Sequence, residues 1–237
     1  MNVLSLFSGI GGLDLGLERA GMTVTAMCEV DKKCRAVLRK HWPMVPIFHD
    51  IRKLKGHDLD TKPDLICGGY PCQPFSQAGL RKGANDDRYL WPEMLRVIDE
   101  TRPAWVVGEN VVGHVNLGLN QVLHDLENLG YGATVFVIPA CAVDAPHRRD
   151  RVWIVANSAS WDDRICDAPE DERQEPKLRA SNLGEWKLWP REPGVGRVAH
   201  GVSRRVDRLK QLGNAVVPQV GEQIGRAIMA AHYYANN

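Results

Sequence analysis

The chain has 237 residues, 44% of them hydrophobic and 25% charged, a balance that excludes a disordered tail, a collagen repeat and a disulfide-stapled miniature. It leaves room for one core of ordinary size with at most a small appended lobe. The net charge is +1, so no global basic field draws the protein to nucleic acid and any such contact must come from placed groups.

Taken in order, Val3 to Phe7 reads as a buried strand, Leu13 to Ala20 as a helix ending at Gly21, and Thr23 to Cys28 as a second strand. A helix from Lys32 to His41, a strand at Asp64 to Cys67, a helix at Trp91 to Glu100 and a strand at Trp105 to Val107 follow. The helix expected at Leu119 to Leu129 stops at Gly130 and leads to strands at Thr134 to Ile138 and Val152 to Ala156. This alternation predicts an α/β fold with a doubly wound, mostly parallel sheet covered by helices on both faces. Between Asn157 and Arg197 the apolar period is lost and Trp, Pro and charged residues dominate, and regular patterning resumes from Val206. A last helix is expected over Val220 to Ala231, beginning after Pro218. The opening Met1 to Ser5 runs directly into strand patterning rather than a secretory leader, and no apolar run is long enough to span a bilayer. Six cysteines at 28, 34, 67, 72, 141 and 166 form no Cys-x-x-Cys pair, so no metal site is expected and a reducing cytoplasm fits best.

Four constellations carry candidate chemistry. Phe7, Ser8, Gly9, Ile10, Gly11 and Gly12 occupy the turn from the first strand into the first helix, where glycines allow close ligand approach and a helix N-terminus offers free N–H groups. A dinucleotide fingerprint counted from Gly9 and Gly11 needs a third glycine where Asp14 stands, which disfavours an oxidoreductase. Glu29 at the end of the second strand can accept from ribose hydroxyls, and Asp50 from an adenine amino group, so an adenosine-containing cofactor fits. Next, Gly68 to Ser76 includes Pro71-Cys72-Gln73-Pro74 directly after a strand, on the edge where ligands of open sheets bind. A lone cysteine is more often inert, but this placement makes Cys72 the candidate nucleophile. Glu109, ahead of Asn110 and Val111, can hydrogen-bond a substrate edge or cap a helix. The run His147, Arg148, Arg149, Asp150, Arg151 can hold a phosphate, a base carbonyl or a neighbouring carboxylate.

These pieces in this order, followed by Gln211 to Pro218, closely resemble the motif series of the cytosine-5 DNA methyltransferase family of phage and bacteria over residues 1–157 and 197–237. The most specific element is Pro-Cys-Gln-Pro-Phe-Ser at 71–76. The resemblance implies the S-adenosylmethionine-dependent methyltransferase fold and a monomer acting on double-stranded DNA with the target cytosine flipped out of the stack. It implies that the Cys72 thiolate adds to cytosine carbon 6, that Glu109 binds and protonates N3, that Arg151 contacts O2 and that Arg149 orders the charged cluster. It further implies that Phe7, Gly9, Gly11, Glu29, Asp50, Ile51 and Asn214 bind S-adenosylmethionine, with Ser8, Gly12 and Pro71 beside them, and that the loop from Ser76 to Arg88 closes over DNA.

Tyr70 stands where many members carry proline, and His147 and Asp150 replace the usual Gln and Glu. On the same resemblance, residues 1–157 form the cofactor-binding and catalytic domain, 158–196 a small irregular target-recognition insertion shorter than is usual, and 197–237 a return to the catalytic domain. Two rival readings stay open: a tRNA cytosine-5 methyltransferase, and a catalytically silent cofactor- or DNA-binding protein of the same fold.

Overall fold

A computed structural model describes residues 1–71, 89–116, 118–158 and 215–236. The strands are β1 (Asn2–Leu6), β2 (Thr23–Cys28), β3 (Ile47–Phe48), β4 (Leu65–Gly68), β5 (Trp105–Val111), β6 (Tyr131–Ile138) and β7 (Arg151–Ser158). The helices are α1 (Gly12–Arg19), α2 (Lys32–His41), α3 (Trp91–Thr101), α4 (Leu119–Asn128) and α5 (Pro218–Asn236). Among the described residues these seven strands join one sheet in the order β3-β2-β1-β4-β5-β7-β6. The first five strands run parallel. β7 is inserted antiparallel between β5 and β6. The sheet is therefore the mostly parallel α/β sheet expected, with one reversed strand that hydropathy did not reveal.

Alternation along the strands sends side chains to two cores, one on each face. On one side Leu4, Leu6, Ile66, Val106 and Ile154 pack with residues of α3 and α4 such as Trp91, Ile98, Val122 and Leu126. On the other, Val3, Leu65, Val107 and Trp153 pack with Leu13 and Leu17 of α1, Leu38 of α2, and Val220, Ile224 and Ile228 of α5. Full burial on both faces requires the continuous apolar runs seen in β1, β4 and β5.

Several boundaries differ from the pattern reading for identifiable reasons. β1 stops at Leu6 because Phe7 has a φ of 55°, outside any strand conformation. β5 continues to Val111 because β7 pairs with it from Trp105↔Asn157 to Val111↔Arg151. That pairing makes a strand of Glu109 and Asn110, whose types disfavour one. α5 starts at Pro218, whose fixed φ and missing N–H suit a first helical position, and it extends beyond the expected end at Ala231.

The chain returns through α5 to lie against α1, and the fit depends on missing side chains. A Cβ on Gly16 would come within 2.3 Å of the Pro218 carbonyl oxygen, and one on Gly12 within 2.5 Å of the Val216 carbonyl oxygen. The segment after residue 214 is thereby held against the turn that opens α1. No helix among the described residues is long and apolar enough to cross a membrane.

Candidate active site

Register brings the candidate residues to one edge. Leu6 of β1 lies beside Cys28 of β2 and Gly68 of β4; Cys28 lies beside Phe48, and Gly68 beside Gly108. The next residue along each strand is then Phe7, Glu29, His49, Gly69 and Glu109. The chain winds outward from β1 to β3 and then crosses to β4 and β5, so the switch point falls between β1 and β4, where an open sheet leaves a crevice.

The glycine turn opens onto that crevice. Gly9 and Gly11 have positive φ values of 57° and 86°, conformations that favour glycine. A Cβ at Gly9 would meet no atom within 4 Å, whereas one at Gly11 would strike the Trp42 ring at 2.4 Å. Gly9 thus faces open space and Gly11 faces the protein. The turn is held by the Glu29 carboxylate, which accepts from Gly9 N–H and from Asp31 N–H, both at 2.7 Å. Burial raises the Glu29 pKa, and the two N–H donors pull it back. Each carboxylate oxygen keeps a further lone-pair direction for an incoming hydroxyl.

Asp50 is clamped by its neighbour. Its carboxylate accepts from Arg52 Nε at 2.9 Å, Arg52 Nη2 at 3.0 Å and Arg52 N–H at 3.1 Å, and these bonds hold its pKa down. Ile51 is buried, while Phe7, Ser8 and Pro71 are half-buried along the crevice. Asn214 lies outside the described residues, one position ahead of Ala215.

The chemical half of the edge centres on Glu109. Its carboxylate is only 11% exposed and meets Arg151 Nε at 2.9 Å. Burial raises its pKa, partly offset by the Arg151 and Arg149 charges. The room it occupies depends on Gly69, where a Cβ would sit 3.0 Å from Glu109 Oε2. Arg149, at a φ of 43°, donates to the Ala215 carbonyl at 2.7 Å, tying the basic cluster to the returning C-terminal segment. Arg151 also donates to the Asp150 carbonyl at 2.9 Å.

Cys72 lies outside the described residues, as does the loop from Ser76 to Arg88; the chain can be followed to Pro71. Among the described cysteines, Cys28, Cys34 and Cys67 are buried. Burial pushes the Cys28 thiol up to about 12 and Cys67 well above its ordinary value, which suits inert packing rather than attack. Among the described residues no group of three or more His, Cys, Asp or Glu is placed to hold a metal ion.

Sequence reasoning missed three participants. Asn110 donates from Nδ2 to the Tyr70 carbonyl at 3.0 Å, and His114 Nε2 lies 2.8 Å from the Tyr70 hydroxyl; a lone histidine three residues past the Glu109-Asn110-Val111 motif carries no visible signal. Asp14, weighed only as an absent glycine, is wholly buried in α1 with neither oxygen hydrogen-bonded. Burial holds its carboxyl up at about 6. The Ser5 side chain and the Asp14 backbone pull it part of the way back, and the Ser5 hydroxyl also meets Ser8 Oγ at 2.9 Å.

A crevice at the β1/β4 switch point, with a glycine turn on one side and a buried Glu–Arg pair on the other, agrees with the comparison to known families. The profile of C-5 cytosine-specific DNA methylases matches residues 1–187. The chain belongs to that family. Two similar proteins are the type II methyltransferase M2.BsuMI of Bacillus subtilis, 37% identical over 166 residues, and the type II methyltransferase M.NgoPII of Neisseria gonorrhoeae, 35% identical over 161 residues. The matches cover 66% and 65% of this chain but 42% and 47% of those proteins. The chain therefore spans less than half the length of either relative. Among solved structures, one assigned as a DNA modification methyltransferase encoded within an Escherichia coli prophage is 26% identical with a TM-score of 0.58, covering 75% of this chain and 51% of that one. The S. pombe Dnmt2 methyltransferase, at 23% identity and the same TM-score of 0.58, covers 74% of this chain and 58% of its own and shares the fold.

Proposed function

We propose that this DNA methylase transfers a methyl group to carbon 5 of a cytosine flipped out of double-stranded DNA, with Cys72 as covalent nucleophile. The observation that carries this reading is the half-buried Glu109–Arg151 pair at the end of β5, beside Gly69 and three residues ahead of Cys72 in the neighbouring strand's exit. Carbon 5 of cytosine is a weak nucleophile. Bond formation between the Cys72 sulfur and carbon 6 makes it enamine-like, and loss of the carbon 5 proton later expels the thiolate.

Glu109 suits a role at N3 of the base because burial favours its protonated form. Arg151 is a fixed cation on the same carboxylate, with donors suited to the base carbonyl O2. Arg149 is assigned to ordering this cluster through Ala215.

The cradle fits S-adenosylmethionine, which supplies an electrophilic methyl group when bound. The fit rests on the open side of Gly9, the accepting capacity left on Glu29, the half-buried Phe7 ring and the Asp50 carboxylate. Ser8, Gly11, Gly12, Ile51, Pro71 and Asn214 complete the assigned binding set. Residues 158–196 are read as the target-recognition region; beyond Ser158 they lie outside the described residues. The protein is read as a monomer of the bacterial or phage-infected cytoplasm.

The test is tritium transfer from labelled S-adenosylmethionine to duplex DNA and to tRNA, with Cys72→Ser in parallel. Transfer to DNA that Cys72→Ser abolishes is expected. Normal transfer by Cys72→Ser refutes the covalent role, and transfer to tRNA alone refutes the substrate.

A further inference from the structure

Tyr70 and His114 belong to the site edge but have no part in the roles assigned above. Tyr70 is the second residue after β4 and turns its phenol inward, where it is 3% exposed. The ring lies 5.0 Å from the Trp91 ring and 5.3 Å from the His114 ring, measured between centroids. Its hydroxyl stands 2.8 Å from His114 Nε2, and its main-chain carbonyl accepts from Asn110 Nδ2 at 3.0 Å. Residue 70 is thus held at two points, backbone and side chain, by the chain at and beyond the end of β5.

Two bonds in different directions fix orientation as well as position, where one would leave a pivot. Orientation matters here because the next residue is Pro71: a proline confines the residue before it to extended conformations and fixes its own φ. The direction set at Tyr70 is therefore carried into Pro71, the last described residue before Cys72. We propose that the Tyr70–His114 hydrogen bond is a positioning device for the methyl-transfer reaction, holding the Tyr70–Pro71 segment that follows Gly69 at the edge occupied by Glu109 and acting through it on the nucleophile assigned to Cys72. This rests on Cys72 being the nucleophile.

Stability alone is a poor reason for the pair. His114 is itself buried, and its Nδ1 has no hydrogen-bond partner among the described residues. A buried polar pair with one nitrogen unmet is less stabilising than an apolar pair of the same shape. The arrangement makes sense if what it supplies is direction.

The test uses the full chain with Tyr70→Phe, His114→Phe, the double variant and His114→Gln. It reads kcat, the KM for S-adenosylmethionine, thermal melting, and the rate of covalent capture by a duplex carrying 5-fluorocytosine. Tyr70→Phe and His114→Phe should each lower kcat and the capture rate by roughly tenfold, the scale of one buried hydrogen bond and a small misalignment. The KM for the cofactor and the melting temperature should stay near wild type. The double variant should be no slower than either single, and His114→Gln, which keeps a polar atom for the phenol, should recover most of the rate. Wild-type kcat in Tyr70→Phe overturns the proposal, as do losses that multiply in the double variant or that follow melting temperature. A wild-type chain that forms no adduct with either nucleic acid overturns the activity beneath it, a different and separable result.

Discussion

Replacing Gly16 by alanine should destabilise the protein, although alanine is the better helix former. On an exposed helix the change gains about 1 kcal/mol. At Gly16 the new Cβ would lie 2.3 Å from the Pro218 carbonyl oxygen, 2.8 Å from the Glu222 amide nitrogen and 3.0 Å from the Gly221 carbonyl carbon. All three are backbone atoms of α5, so no rotamer change relieves the overlap, and ordinary contact distances require the helices to part by roughly 1 Å. An overlap with three backbone atoms falls in the upper part of the overpacking range, about 2–3 kcal/mol, which leaves a net loss of about 1–2 kcal/mol after the propensity gain. For a chain of this size the melting temperature should fall by roughly 3–6 °C. The displacement also reaches Val216 and the segment adjoining Asn214, because Gly12 packs against the Val216 carbonyl, so the KM for S-adenosylmethionine should rise. Thermal and urea melts answer the first point, with Gly113→Ala as control because a Cβ there meets nothing within 4 Å. A Gly16→Ala protein as stable as wild type, or more so, would refute the close-packing argument.

Asp14→Asn should stabilise the protein at neutral pH. The native carboxyl holds its proton up to about 6 against an ordinary 3.8, so native chains bind more protons than unfolded ones in that window. Wild-type stability should then fall as pH rises through it, by about 3 kcal/mol at most, and Asp14→Asn should lack that slope; equal slopes in urea melts at the two ends would count against it. Glu29→Gln replaces one of two accepting oxygens by a donor facing an N–H. It should cost about 1–3 kcal/mol and weaken S-adenosylmethionine binding in calorimetry, whereas unchanged binding would remove Glu29 from the cradle. Arg151→Gln takes away a cation that lowers the Glu109 pKa. If protonated Glu109 is required, the alkaline limb of the kcat–pH profile should move to higher pH while the maximum falls, and a limb moving the other way would contradict that role.

Much of the site was legible because its signals are local. The glycine turn, Glu29 and Pro71 each follow a recognisable apolar run, and in a wound sheet the ends of such runs meet at one edge. His114 and Asn110 were not legible as partners of Tyr70, because they act across 44 and 40 positions through a pairing of strands that hydropathy does not encode. β7 is similar: its apolar run marks a strand but says nothing of direction, and its reversal is what sets Arg151 against Val111 and Arg149 beside the returning segment.

By itself, then, the sequence determined the family and the candidate groups: side-chain types and spacing decide which thiol, carboxylates and cations are available. Tertiary structure alone decided their working state. Burial beside Arg151 sets the Glu109 proton affinity, the Tyr70–His114 contact fixes the residue ahead of Pro71, and the α1–α5 fit holds the C-terminal segment in place. The physical reason is that charge and orientation at a site depend on neighbours brought from elsewhere in the chain, and those neighbours exist only once the sheet has closed around them.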